Sequence, residues 1–98
     1  MRMLWKVQIP VDSGNEAIKS GAMATAIRAF AERAQPECMY FTVADGWRTA
    51  YGVVDMASSA DMPRLAEPLF MELDASIEIT PCMTPEELMA GLQAAGLA

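Results

Sequence analysis

The sequence predicts an α+β sandwich, a four-stranded antiparallel sheet with its helices on one face. Three observations lead there. An Asp45-Gly46 pair stands between two strand-like runs, Met39-Tyr40-Phe41-Thr42-Val43 and Arg48-Thr49-Ala50-Tyr51-Gly52-Val53, and accepts the positive φ angles of a type I′ hairpin turn. Two further segments, Met3 to Ile9 and Ser76 to Thr80, alternate with the period of a half-buried strand. Segments of helical periodicity lie before and after the hairpin, so strands and helices interleave in the order that such a sandwich needs.

The elements follow in chain order. In the first strand Met3, Trp5, Val7 and Ile9 share one apolar face, opposite Leu4, Lys6 and Gln8, and Pro10 closes it. Asp12-Ser13-Gly14-Asn15 is turn chemistry, with Ser13 or Asn15 capping a helix over about Glu16 to Ala34. Its buried stripe is Met23, Ile27, Phe30 and Ala34; Gly21 weakens it midway and Gln35-Pro36 ends it. The hairpin occupies about Glu37 to Met56. If Ala44 opposes Trp47, then Tyr40 opposes Tyr51, Thr42 opposes Thr49, Phe41 opposes Ala50 and Met39 opposes Gly52. One hairpin face, Met39, Phe41 and Val43 with small Ala50 and Gly52, then suits a closely packed helix, making Phe41 a core residue; the other carries Tyr40, Thr42, Trp47, Thr49 and Tyr51.

A second helix opens near Ser59 or Asp61, with Pro63 in its first turn and Leu65, Leu69, Phe70 and Leu73 as its inner stripe; Pro68 is expected to kink or shorten it. Ser76 to Thr80 forms the last strand, closed by Pro81. Thr84-Pro85-Glu86-Glu87 opens a terminal helix with a capping box, and Leu88, Leu92 and Leu97 make that tail amphipathic. The order βαββαβ plus a short C-terminal helix matches the ferredoxin-like sandwich, as a single domain over residues 1–98 with antiparallel strand order 4-1-3-2. Its second sheet face is left bare.

Composition narrows the function. The 98 residues carry a net charge of −6 from 13 acidic and 7 basic side chains, with no basic cluster, the opposite of what a phosphate backbone attracts. Nucleic acid is not an expected partner. No apolar run reaches bilayer length, and the start lacks a signal-peptide core, so no membrane is expected and a cytoplasmic location is. A hydrophobic content of 53% with nine methionines is high for a small monomer and favours a homodimer; the methionines serve mainly as core filler. Cys38 and Cys82 lack zinc or redox-motif spacing and read as small buried or strand-end residues. With no histidine, the usual general base and commonest metal ligand are missing, and Asp45, Asp55 and Asp61 lack the spacing of a calcium loop. No metal and no cofactor are expected. Arg28, Glu32 and Arg33 form a solvated helix face.

In the 4-1-3-2 order Lys6 falls between Glu78 and Tyr51, and the bare face gathers Lys6, Gln8, Tyr40, Thr42, Thr49, Tyr51 and Glu78. Glu78 can take a proton, Lys6 can hold an anion or steady an enolate, and the tyrosines can donate to a carbonyl. The same residues also serve as a Lys6–Glu78 ion pair and an aromatic dimer face, which are ordinary sheet stabilisers.

The Trp-containing first strand, the Asp45-Gly46 hairpin and the run Glu78-Ile79-Thr80-Pro81-Cys82 leading into the terminal helix resemble a bacterial family of small uncharacterised proteins in the dimeric α/β-barrel, ferredoxin-like superfamily. Cys82 stands where that family usually has an aliphatic residue. The resemblance implies a fold and a dimer in which two sheets pack face to face. Catalytic relatives in the superfamily include quinol-forming monooxygenases, haem-degrading enzymes and lactone isomerases, several using a histidine that this chain lacks. The expectation is a homodimeric module binding a small amphipathic ligand at the open sheet face or between sheet and helices. One alternative is a cofactor-free monooxygenase or isomerase of small aromatic or polyketide-like substrates using Lys6, Tyr40, Tyr51 and Glu78. A second is a protein-interaction or regulatory subunit docking through Leu88 and Leu92.

Overall fold

The computed structural model describes residues 1–98 as an α+β sandwich, consistent with the ferredoxin-like arrangement. The elements run β1 (Arg2–Ile9), α1 (Val11–Ser20), α2 (Ala22–Ala34), β2 (Cys38–Ala44), β3 (Trp47–Asp55), α3 (Asp61–Leu73), β4 (Ser76–Pro81) and α4 (Pro85–Ala94). All strand pairs are antiparallel and the order is β2-β3-β1-β4, the expected 4-1-3-2 read from the other edge. Asp45 and Gly46 have φ of 58° and 76°, as a type I′ turn requires, and Ala44 pairs with Trp47, Tyr40 with Tyr51 and Thr42 with Thr49.

The core lies between one sheet face and α1, α2 and α3. Met3, Trp5, Val7 and Ile9 from β1 meet Ala17, Met23, Ala26 and Phe30 from α1 and α2 and Leu65, Ala66, Leu69 and Leu73 from α3. Trp5, 1% exposed, packs edge-on against Phe30 with ring centroids 5.4 Å apart.

Several details depart from the sequence expectation. The single helix over Glu16 to Ala34 is two helices that begin earlier. Pro10, with φ −56° and ψ 147°, sets the entry, Asp12 complements the first-turn dipole, and Gly21 at φ 86° ends α1 and starts α2. Neither Ser13 nor Asn15 caps it; Ser13 instead donates to Asp74 Oδ2 at 2.6 Å. Likewise α3 follows Ala60 without a side-chain cap, and it continues through Pro68. The carbonyl that Pro68 leaves without a donor belongs to exposed Arg64, while Leu65, Leu69 and Leu73 hold both halves against the core, so the helix is not cut short. Phe70 points outward, 40% exposed.

The hairpin gives the largest correction. Phe41 is 57% exposed and Val43 is exposed, so neither joins the core. Both lie on the helix side of edge strand β2, but no helix reaches over them; Met39 alone from that row packs against the core. Cys38, at the start of the same edge, is exposed, and Cys82 beyond β4 on the opposite edge is half-buried; both are free. Only part of the methionine set is core: Met3, Met23 and Met56 are buried, whereas Met71, Met83 and Met89 are exposed. No helix is long and apolar enough to cross a membrane.

The terminal helix α4 forms as expected, touching β1 through an Arg2 Nη1–Glu87 Oε1 ion pair at 3.5 Å. Glu87 N–H donates to Thr84 Oγ1 at 3.1 Å and Thr84 N–H to Glu87 Oε1 at 2.9 Å, a complete capping box, yet α4 buries no residue. The Thr84 backbone N–H, then the Thr84 hydroxyl contact and the Arg2 charge, hold the Glu87 carboxyl below the usual glutamate range. A folded-state pKa below the unfolded one means that this cap's contribution is present above the unfolded value and is lost as pH falls through the folded value. The expected result is that α4 frays in acid before the sheet does, and that Glu87→Gln removes this pH dependence. An NMR pH titration of the Glu86 to Ala90 amides checks it; helical shifts unchanged through the carboxylate range would refute it.

Candidate functional site

Strand alternation and the two registers on β1 place the expected site residues in rows across the uncovered face. Glu78, Lys6, Tyr51 and Tyr40 form one row over all four strands; Ser76, Gln8, Thr49 and Thr42 form the next. All seven candidates therefore share the face. Their partners differ from expectation in one respect. Lys6 Nζ lies 4.0 Å from Asp45 Oδ2, and no Lys6–Glu78 ion pair forms although the two residues are directly paired across β1 and β4. Gln8 Nε2 donates to Asp45 Oδ2 at 3.0 Å, to Thr49 Oγ1 at 3.3 Å and to the Ala44 carbonyl at 3.3 Å. Thr49, 3% exposed, donates in turn to the Trp47 carbonyl at 3.0 Å. The polar centre of this face is thus internally satisfied. Tyr40, 72% exposed, and half-buried Tyr51 remain as its outer aromatic surface. No three carboxylate or thiol side chains converge to chelate a metal ion.

A second site lies on the other side of the sheet. A cavity of about 220 Å³ opens between β1, β2 and β3 and the helices, walled by Trp5, Val7, Ile9, Met23, Ile27, Phe30, Met39, Phe41, Leu69 and Leu73. It exists for a local reason. Ala50 and Gly52 supply no bulk on β3, and a Cβ at Gly52 would meet the Cys38 carbonyl at 3.2 Å, so this strip of sheet offers only a shallow floor. The helices stop short of β2, leaving Phe41 as one exposed wall.

Arg48 also lines this cavity. It was not among the candidates, although the register shows it: Arg48 alternates with Ala50, Gly52 and Val54 on the helix side, and a charge in an inward-facing row is the informative kind of exception. Its Nη2 donates to Asn15 Oδ1 at 3.1 Å. Trp5 lines the cavity too, and its Nε1 is the one buried side-chain nitrogen or oxygen in the protein without a hydrogen-bond partner. An apolar chamber with a few placed polar groups is the usual form of a small-molecule site.

Compared with known proteins, the chain matches no family model and no curated relative significantly.

Proposed function

We propose that this protein is a cytosolic homodimeric module, related to the dimeric α/β-barrel families, that holds a small amphipathic ligand in the chamber between its sheet and its helices. The cavity carries the reading. About 220 Å³ of apolar space is larger than the roughly 150 Å³ that accommodates benzene in an engineered core, and well-packed interiors rarely leave such a void. It suits one substituted ring or a short alkyl chain. The aromatic rows of the open face support pairing with a second copy: Tyr40, Tyr51, Leu4 and Trp47 form an apolar surface with satisfied polar groups beneath it, suited to burial against another sheet.

Filling the chamber tests the ligand reading. Ala50 lines it and is half-buried, so Ala50→Leu places a branched side chain inside. Wild type is expected to gain thermal stability with 1-octanol in a concentration-dependent way, and Ala50→Leu to lose that response while remaining folded, at an overpacking cost of about 1–3 kcal/mol at most. An absence of stabilisation of the wild type by 1-octanol, or an undiminished response in Ala50→Leu, defeats the reading.

One observation favours the interaction-subunit alternative. Ten-residue α4 buries none of its residues and exposes Leu88 and Met89, and a helix shorter than about 12–15 residues is marginal in water by itself. A further surface therefore steadies it, either the second copy or another protein. Removing the tail distinguishes them, since loss of the dimer assigns α4 to the homodimer.

A further inference from the structure

We infer that the cavity between sheet and helices selects a ligand with a carboxylate head on an apolar body, the head held by Arg48 and the body lying against Trp5. This rests on the reading of the cavity as a ligand site and adds the chemical class. Its polar lining is one-sided. Tyr51, Thr42 and Thr49 reach the wall from strands whose alternation sends their side chains to the opposite face, which leaves Arg48 as the charged side chain on the cavity side. An arginine guanidinium donates hydrogen bonds and accepts none. A ligand that satisfies it must bring acceptors, and beside a guanidinium a charged acceptor makes the stronger and shorter bond.

The charge inventory points the same way. The chain carries 13 acidic against 7 basic residues, so carboxylates are plentiful. Arg2 and Lys6, the other two basic residues that are partly buried, both have carboxylates within 4.0 Å, Glu37 and Glu87 for Arg2 and Asp45 for Lys6. Arg48 has none, and its one side-chain partner is the neutral amide of Asn15. The guanidinium is also held in place. A Cβ added at Gly14 would sit 2.6 Å from Arg48 Nη1, so the missing side chain on α1 is what lets the guanidinium lie against that helix. With Asn15 accepting one of five N–H groups, the planar fork keeps donors for a carboxylate. One guanidinium suits one negative charge, hence a monoacid in preference to a doubly charged phosphate.

Octanoate and 1-octanol share an eight-carbon body and differ in the head, so the pair isolates the claim. By calorimetric titration the wild type is expected to bind octanoate roughly tenfold or more tightly than 1-octanol, the gain of a charge-assisted hydrogen bond over a neutral one. Arg48→Gln should abolish that preference while leaving 1-octanol affinity within about twofold, because the apolar contacts are untouched. Arg48→Lys, which keeps charge without the fork, should retain part of it and decides the matter if the Gln variant does not fold. The indole N–H resonance of Trp5, assigned by loss in Trp5→Phe, should move on octanoate addition. Equal binding of the two probes by wild type, or a preference surviving in Arg48→Gln, overturns the carboxylate assignment and leaves the cavity reading standing. Binding of neither probe to wild type removes both.

Discussion

Trp5→Ala is expected to cost about 3–5 kcal/mol of folding stability, whereas Phe41→Ala costs less than about 1 kcal/mol. Trp5 is 1% exposed at the centre of the core, between Phe30 and the α3 leucines, and its removal joins a large new void to the existing cavity. For a domain whose whole stability is about 5–15 kcal/mol, that loss puts the variant near unfolding. Phe41 has more than half its surface in water already, so truncation removes little burial. Trp5→Phe sits between them: it loses ring volume but also deletes the one buried donor without a partner. Urea denaturation of the three variants at one protein concentration checks the ranking. A Phe41→Ala cost equal to that of Trp5→Ala would mean that β2 is covered on its helix side.

Tyr51→Glu is expected to break the proposed dimer, with a loss of about 3–5 kcal/mol of association, the cost of an unpaired charge in a desolvated contact. Tyr51 stands in the central row of the open face, between Lys6 and Tyr40. Lys6 is already engaged with Asp45 and offers a new carboxylate only partial compensation. Tyr51→Phe should retain the dimer, since it keeps the aromatic area. Sedimentation equilibrium measures both. A wild type that remains monomeric at high micromolar concentration ends the dimer proposal, and a Tyr51→Glu variant that remains dimeric moves the interface off this face.

Much of the architecture was legible because its signals are local. Asp45-Gly46 names its turn type through the φ angles it tolerates, and one turn fixes every cross-strand pair of β2 and β3, so the rows holding Lys6, Gln8, Tyr40, Thr42, Thr49, Tyr51 and Glu78 could be drawn in advance. Thr84 and Glu87 announced α4 in the same way. The break at Gly21 was visible only as a weak spot, since a glycine costs a helix little and says nothing about whether the chain turns there. Arg48 carries no such local signal: its inward parity follows from the same register, but only the packing of α1 against β3 makes it a cavity residue.

What the amino-acid order determined alone is therefore the four strands, their pairing and the face to which each strand residue belongs. These depend on dihedral preferences and on a period of 2 residues, which act over a few neighbours. The tertiary structure decided coverage: that Trp5 is sealed while Phe41 and Val43, on the same side of the sheet, are not, that Asp45 reaches Lys6 ahead of Glu78, and that a chamber with Arg48 on its wall remains between the layers. Coverage depends on where helices end relative to a sheet edge and on how bulk from distant segments fills the space between layers. No local preference encodes those distances; they emerge only when the whole chain packs.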